Sequence, residues 1–193
     1  MGEWDRKRRI TKHYDATAGI YESRYAQDQT AKMDAALKNV KIEKCGCVLD
    51  AGCGTGILLD FAGSHATAIV GVDISRKALA EAKTRAKKYA NVHLIWADVD
   101  YMPVKNGVFD SVFAMTVLQN VPSPRKTLAE INFAAKHDAI IVVTGLKKVF
   151  ERECFQRLLK DAGLDVVAFE DEGLECYVAV CSRANLRMSS CRA

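Results

Sequence analysis

The chain has 193 residues, with 28 Lys+Arg against 24 Asp+Glu and a formal net charge of +4. Its apolar runs fall far short of the roughly 20 residues that a membrane helix needs, and 3 Pro with 12 Gly exclude a linker-rich or collagenous chain. The length suits one domain with a sizeable core. So small a net charge says little about nucleic acid, and its placement says more. Cations cluster over Arg6–Lys12 and again over 76–88, and acids over 165–175. Solvated faces are the ordinary reading of such runs; contacts to phosphates are the other. Seven Cys stand at 45, 47, 53, 154, 176, 181 and 191, with no C-x-x-C pair and no His at zinc-finger spacing. No metal site is expected. The charged N-terminus leads into no apolar stretch, unlike a signal peptide, so free thiols in a cytoplasmic, reducing compartment are expected.

Residues 1–44 read as helical, with Tyr14, Tyr21, Tyr25, Met33 and Leu37 among polar residues. They suit a cap over a ligand-binding edge, followed by a core over 45–183 and a tail over 184–193, all one domain. From about residue 45, strand-like and helix-like segments alternate. Cys47–Ala51 is a short strand that runs into a glycine-rich turn, and a helix starts over Ile57–Ala62. Ala68–Asp73 is the second strand. Ser75 is placed to N-cap a helix with Ala78, Leu79, Ala82 and Ala86 at helical spacing. Val92–Ala97 is the third strand, and Phe109–Leu118 contains the fourth. Ser123 as N-cap and Pro124 at the first position open a helix with Leu128, Ile131 and Ala135 on its apolar face. Ala139–Thr144 is the fifth strand. Phe150, Cys154, Leu158 and Ala162 mark the face of the next helix, which Gly163 stops. Two strands follow near 164–169 and 175–182. Helical crossovers demand a mostly parallel sheet covered on both faces. The short turn Glu170–Gly173 leaves no room for a crossover, so the last two strands pair antiparallel.

The informative stretch is Asp50-Ala51-Gly52-Cys53-Gly54-Thr55-Gly56. Glycines between a strand and a helix let the backbone approach a ligand at the carboxyl end of the sheet. The spacing is not the G-x-G-x-x-G of dinucleotide sites. Asp50 would repel a pyrophosphate and suits an ammonium. Asp73, ending the second strand, can accept both hydroxyls of a ribose. Asp98, ending the third, can accept from an exocyclic amine such as that of adenine, although Asp100 is near enough to serve instead. A ligand with ammonium, ribose and adenine but no phosphate is S-adenosylmethionine.

These segments, with Gly71-Val72-Asp73, Ala97-Asp98 and Phe109-Asp110-Ser111-Val112, resemble the successive motifs of class I S-adenosylmethionine-dependent methyltransferases over residues 45–182. The resemblance is strongest to the methyltransferase-11 group, which holds quinone-biosynthesis C-methyltransferases and wobble-uridine tRNA methyltransferases. Tyr14-Asp15-x-x-Ala18-x-x-Tyr21 is similar to the N-terminal segment of that group. The resemblance implies a Rossmann-like three-layer sandwich. Its seven-stranded, mostly parallel sheet would have the order 3-2-1-4-5-7-6, the last strand antiparallel, with the N-terminal helical cap added. It implies an S-adenosyl-L-methionine site at Asp50, Gly52, Cys53, Gly54, Asp73, Ile74, Asp98, Val99, Met115 and Thr116. It also implies that Tyr14, Tyr21, Gln119 and Asn120 face the transferred methyl as candidate catalytic residues.

There are departures. Gln119-Asn120 stands where a His pair is common, Ala135-Lys136-His137-Asp138 replaces Lys-Pro-Gly-Gly, and Met115-Thr116-Val117-Leu118 replaces Asn-Pro-Pro-Tyr. The last makes methylation of exocyclic or amide nitrogens a poorer fit. Displacement at a sulfonium needs alignment and exclusion of water rather than a universal base. The basic segments favour RNA or another large acceptor; a small quinone-like metabolite is the alternative, and a non-catalytic subunit of the same fold a third. In this strand order, strand 92–97 lies at a sheet edge. The resemblance implies one way to cover it, since some tRNA and protein methyltransferases of this superfamily take a strand there from a small zinc-binding activator; a homodimer would cover it too.

Overall fold

The computed structural model describes residues 2–40 and 46–184, with the side chains of residue 18 and residues 20–26 left undescribed. The expected tail, apart from residue 184, and Cys45 and Cys191 lie outside the described residues, as do the side chains of Tyr21 and Tyr25. A long helix α1 (Glu3–Leu37) precedes β1 (Cys47–Ala51), α2 (Leu59–Ala62), β2 (Ala68–Asp73), α3 (Arg76–Ala86), β3 (Val92–Trp96) and β4 (Phe109–Ala114). Then come α4 (Pro124–Ala134), β5 (Ala135–Leu146), α5 (Arg152–Asp161), β6 (Leu164–Glu170) and β7 (Cys176–Arg183). The strands form one seven-stranded sheet of order β3-β2-β1-β4-β5-β7-β6, as expected. Pairs from β3 through β5 are parallel, and β7 runs antiparallel to both β5 and β6.

Alternation along the strands sends successive side chains to opposite faces. Leu49, Ala51 and Val112 meet Leu128 and Ile131 of α4 and Phe155 and Leu159 of α5. Val48, Ile69, Phe113 and Val142 meet Met33 and Ala36 near the C-terminal end of α1, and Leu59 and Ala62 of α2. Both faces of the central strands are therefore buried, which is why their sequences read as continuous apolar runs.

Local chemistry explains the element ends. Ser75 caps α3 by accepting from Ala78 N at 3.1 Å. Pro124 opens α4, though Ser123 makes no side-chain capping bond. Ala135 belongs to β5 rather than to the apolar face of α4, because the chain turns extended there and pairs with Phe109. The face of α5 is also rotated from the expected one. Phe155 and Leu159 are fully buried, while Cys154 is exposed. The helix begins only at Arg152, so Phe150 lies before it and packs on Phe155, 5.5 Å away between ring centroids.

Candidate functional site

A cleft opens at the carboxyl ends of β1, β2, β3 and β4, with α1 lying across it. This is where open parallel sheets bind ligands. The cleft is partly open to solvent and its walls are mostly apolar.

The turn after β1 is tied to β2. Gly52 N and Cys53 N both donate to Val72 O, at 2.7 and 3.0 Å. Gly52 has φ +78, and a Cβ there would come within 2.4 Å of Val117 Cγ2. Gly54 has φ +53 and open space where its Cβ would be; its N–H donates to Asp73 Oδ2 at 2.8 Å. Asp73 Oδ1 accepts from Ser75 N at 2.7 Å, which fixes the carboxylate in the cleft wall. Burial raises the Asp73 carboxyl above its ordinary range against the pull of these bonds. Ile74 lines the cleft beside it.

Asp50 is 4% exposed and accepts no hydrogen bond from a described residue. Burial, and then the charge of Asp73, push its carboxyl up to about 7. An ungratified buried carboxylate of this kind is costly in isolation. A ligand cation placed against it removes that cost. Cys53 beside it is a wall and not a nucleophile: burial, then Asp50 and Asp73, hold its thiol well above the usual range.

The end of β3 departs from expectation. Asp98 and Val99 line the cleft, but Asp98 Oδ2 accepts from Lys7 Nζ at 2.6 Å and Oδ1 accepts from Asp100 N at 2.9 Å. An exocyclic amine would have to share this carboxylate with Lys7. Asp100 is no substitute, because it is fully buried, paired with Lys7 at 2.7 Å and bonded by Thr127 Oγ1. Lys7 is 5% exposed. Burial opposes its charge, yet bonds to Asp100, Asp98 and Glu3 outweigh this and raise its pKa.

Beyond β4, Met115 and Thr116 line the cleft. Thr116 has φ +62, the one non-glycine in the left-handed region among the described residues. For a β-branched residue this costs on the order of 1–3 kcal/mol. Of the candidate catalytic residues, Asn120 and Tyr14 line the cleft, and Asn120 Nδ2 donates to Tyr14 Oη at 2.6 Å and to Thr116 O at 2.7 Å. Gln119 is not among the lining residues; its Oε1 is buried with no hydrogen-bond partner among the described residues. The Tyr21 side chain is not described. Sequence reasoning missed Lys7, Gln29 and Met33 as lining residues. Lys7, Ile10 and Tyr14, like Gln29 and Met33, are spaced three or four residues apart, the signal of one helix face.

A sulfonium nucleoside fits these residues. Three carboxylates and no unpaired cation among the described lining side chains disfavour phosphate, and Asp50 awaits a positive partner. Among the described residues no group of His, Cys, Asp and Glu is placed to hold a metal ion, and no helix is long and apolar enough to cross a membrane.

Comparison with known proteins agrees with the geometry. The family model described as "Methyltransferase domain" matches residues 49–143. The chain is 27% identical over 144 residues to a malonyl-[acyl-carrier protein] O-methyltransferase of Marinomonas sp., covering 74% of this chain and 53% of that one. Its fold matches that of the Burkholderia thailandensis 1,6-didemethyltoxoflavin-N1-methyltransferase, solved with 1,6-didemethyltoxoflavin and S-adenosylhomocysteine, with TM-score 0.79, 14% identity and coverage of 96% and 92%. It also matches a chain of the complex between the Haloferax volcanii Trm112 methyltransferase activator and a methyltransferase, with TM-score 0.76, 17% identity and coverage of 89% and 97%. The chain carries a methyltransferase domain over residues 49–143, and its fold is that of class I S-adenosylmethionine-dependent methyltransferases. It spans about half the length of the first curated relatives it matches.

Proposed function

We propose that this chain binds S-adenosylmethionine in the cleft and transfers the methyl group to a small acceptor held beneath α1. The observation that carries this reading is the buried, undonated Asp50 carboxylate in a cleft roofed by Ile10, Tyr14, Gln29 and Met33 of α1. S-adenosylmethionine supplies a methyl group already activated on a sulfonium. The protein's part is to bind, align and exclude water. Asp50 receives the ammonium, and Asp73, held by Gly54 N and Ser75 N, has lone pairs left for the ribose hydroxyls. Lys7 leaves Asp98 with a smaller share in gripping the adenine than its position in the sequence suggests. Tyr14 and Asn120 orient the acceptor from the α1 side. The test is incubation with methyl-labelled S-adenosylmethionine and, separately, a small-metabolite fraction and bulk tRNA. Label in the first alone supports this reading, and label in tRNA alone opposes it.

A large RNA acceptor is the second reading. Arg6, Arg9 and Lys12 of α1 are fully or half exposed, and α1 packs beside α3, where Lys77 and Lys83 also reach solvent. Lys87 reaches solvent as well, but four other cations of these runs are already engaged. Lys7 is buried in ion pairs, Arg76 stacks 3.7 Å from the Trp96 ring centroid, and Arg85 and Lys88 pair with Asp60. That is why the small acceptor is preferred. Binding to tRNA that falls steeply with salt would restore the RNA reading.

We also infer that β3 takes a partner strand. It is one of the sheet's two edge strands, with Trp96 57% exposed, and free edges invite pairing. A small zinc-binding activator or a second copy of the chain would fill it, and the likeness to a chain solved with an activator supports the former. A monomer by light scattering, alone and with such an activator, opposes both. The unpaired Cys47, Cys53, Cys154, Cys176 and Cys181 suit a cytoplasmic location.

A further inference from the structure

Thr116 is held in its unfavourable backbone conformation by bonds on every polar atom. Its N–H donates to Thr144 Oγ1 at 2.7 Å, and its carbonyl accepts from Asn120 Nδ2. Its hydroxyl lies 3.3 Å from Lys32 Nζ, which is not among the cleft-lining residues, and 3.2 Å from Gln29 Nε2, which is. Both come from α1, and both are buried. Asp28 Oδ2 lies 2.5 Å from Lys32 Nζ, an ion pair one turn apart on the same helix.

An ammonium only donates, so the Thr116 oxygen accepts from Lys32. Acceptance polarises the hydroxyl and makes it a stronger donor in turn. The hydroxyl proton has one described protein acceptor, Gln29 Oε1, and that contact is long, at 3.3 Å. Thr116 and Gln29 both line the cleft, so a ligand oxygen there competes for this proton. A protein that needed only a turn after β4 would place glycine or asparagine at φ +62. A threonine kept there against strain, with a buried lysine beside its hydroxyl, is built to present that hydroxyl.

We propose that Thr116 is a specificity-determining donor of the acceptor subsite, recognising an anionic oxygen, so that acceptors are small molecules carrying a phenolate, enolate or carboxylate oxygen. This deepens the small-acceptor reading above and rests on it.

The test uses the full chain loaded with S-adenosylhomocysteine, titrated with 4-nitrophenol and with its uncharged analogue 4-nitroanisole. The phenolate is expected to bind about tenfold more tightly than the anisole, as a charge-assisted hydrogen bond implies. Thr116→Ser keeps that preference. Thr116→Val, which keeps the branched shape, loses it, and so does Lys32→Met. S-adenosylhomocysteine binding is measured on the same samples, and the two probes are compared at saturating S-adenosylhomocysteine for each variant, so that a weaker hold on the cofactor is read separately from a lost preference. Equal binding of the two probes by the loaded wild type, or no binding of either, overturns the inference and leaves the methyltransferase reading standing. If the Val variant fails to fold, the wild-type comparison and the Ser variant still decide. Failure of S-adenosylhomocysteine to bind removes both readings together.

Discussion

Lys7 Nζ lies 2.6 Å from Asp98 Oδ2 and 2.7 Å from Asp100 Oδ2, so one cation from the start of α1 pairs with two acids that follow β3. Trp4, stacked on Tyr101 with centroids 6.4 Å apart, adds an aromatic contact to the same junction. Lys7→Met leaves the buried Asp100 without its cation. The expected loss is about 3–5 kcal/mol, the range for breaking a buried pair, read as a lower urea midpoint. Lys7→Met combined with Asp100→Asn should recover part of it, because the orphaned charge is then gone.

Asp50 sets the response of the ligand-free protein to pH. Its folded pKa of about 7 stands above the ordinary aspartate value of 3.8, so the folded state binds this proton more tightly than the unfolded chain. Its contribution to stability therefore falls as pH rises from about 4 to about 7. Asp50→Asn is expected to match wild type near pH 4 and to exceed it by about 2–4 kcal/mol at pH 8, measured by denaturant unfolding. The same variant should lose its affinity for S-adenosylhomocysteine, a case of stability gained at the expense of function.

Two glycines separate backbone strain from steric overlap. Gly54→Ala meets open space, so only its φ of +53 is penalised, at about 1–2 kcal/mol. Gly52→Ala carries a similar backbone penalty and also drives a methyl into Val117. Thermal melts should show a modest fall for the first and a larger one, with weakened ligand binding, for the second. Equal melts would contradict the close approach of Val117.

Cysteine reactivity follows burial. Cys154 is exposed and should be alkylated first among the described cysteines when the folded protein meets iodoacetamide at pH 8. Burial pushes Cys176 up to about 11 and, with a smaller push from Asp165, Cys181 up to about 12, while Cys53 stands well above the usual thiol range. These three should stay unmodified until denaturant is added, as mass spectrometry of the peptides would show.

Much of the sheet was legible because its information is local. The glycine turn after Cys47–Ala51, the apolar runs and the Ser75 cap each announce themselves within a few residues. The strand order was read from family likeness, since periodicity does not set which strands neighbour. All ten residues expected around the cofactor line one cleft, a consequence of sharing the carboxyl ends of adjacent strands. What was illegible depends on long-range pairing. Lys7 looks like its neighbours Arg6, Arg8 and Arg9, and only the fold brings Asp98 and Asp100 to it. Gln119 and Asn120 are adjacent, yet a single step along the turn brings Asn120 to the cleft and leaves Gln119 outside its lining. On α5 a late helix start moved the buried face from Cys154 to Phe155.

The most direct measurement is calorimetry with S-adenosylhomocysteine at pH 8, on wild type and on Asp73→Ala. One molecule should bind per wild-type chain, and the variant should bind at least about tenfold more weakly, a loss of about 1.4 kcal/mol. No heat of binding in the wild type, or equal affinity in the two proteins, would contradict the assignment of this cleft to a sulfonium nucleoside.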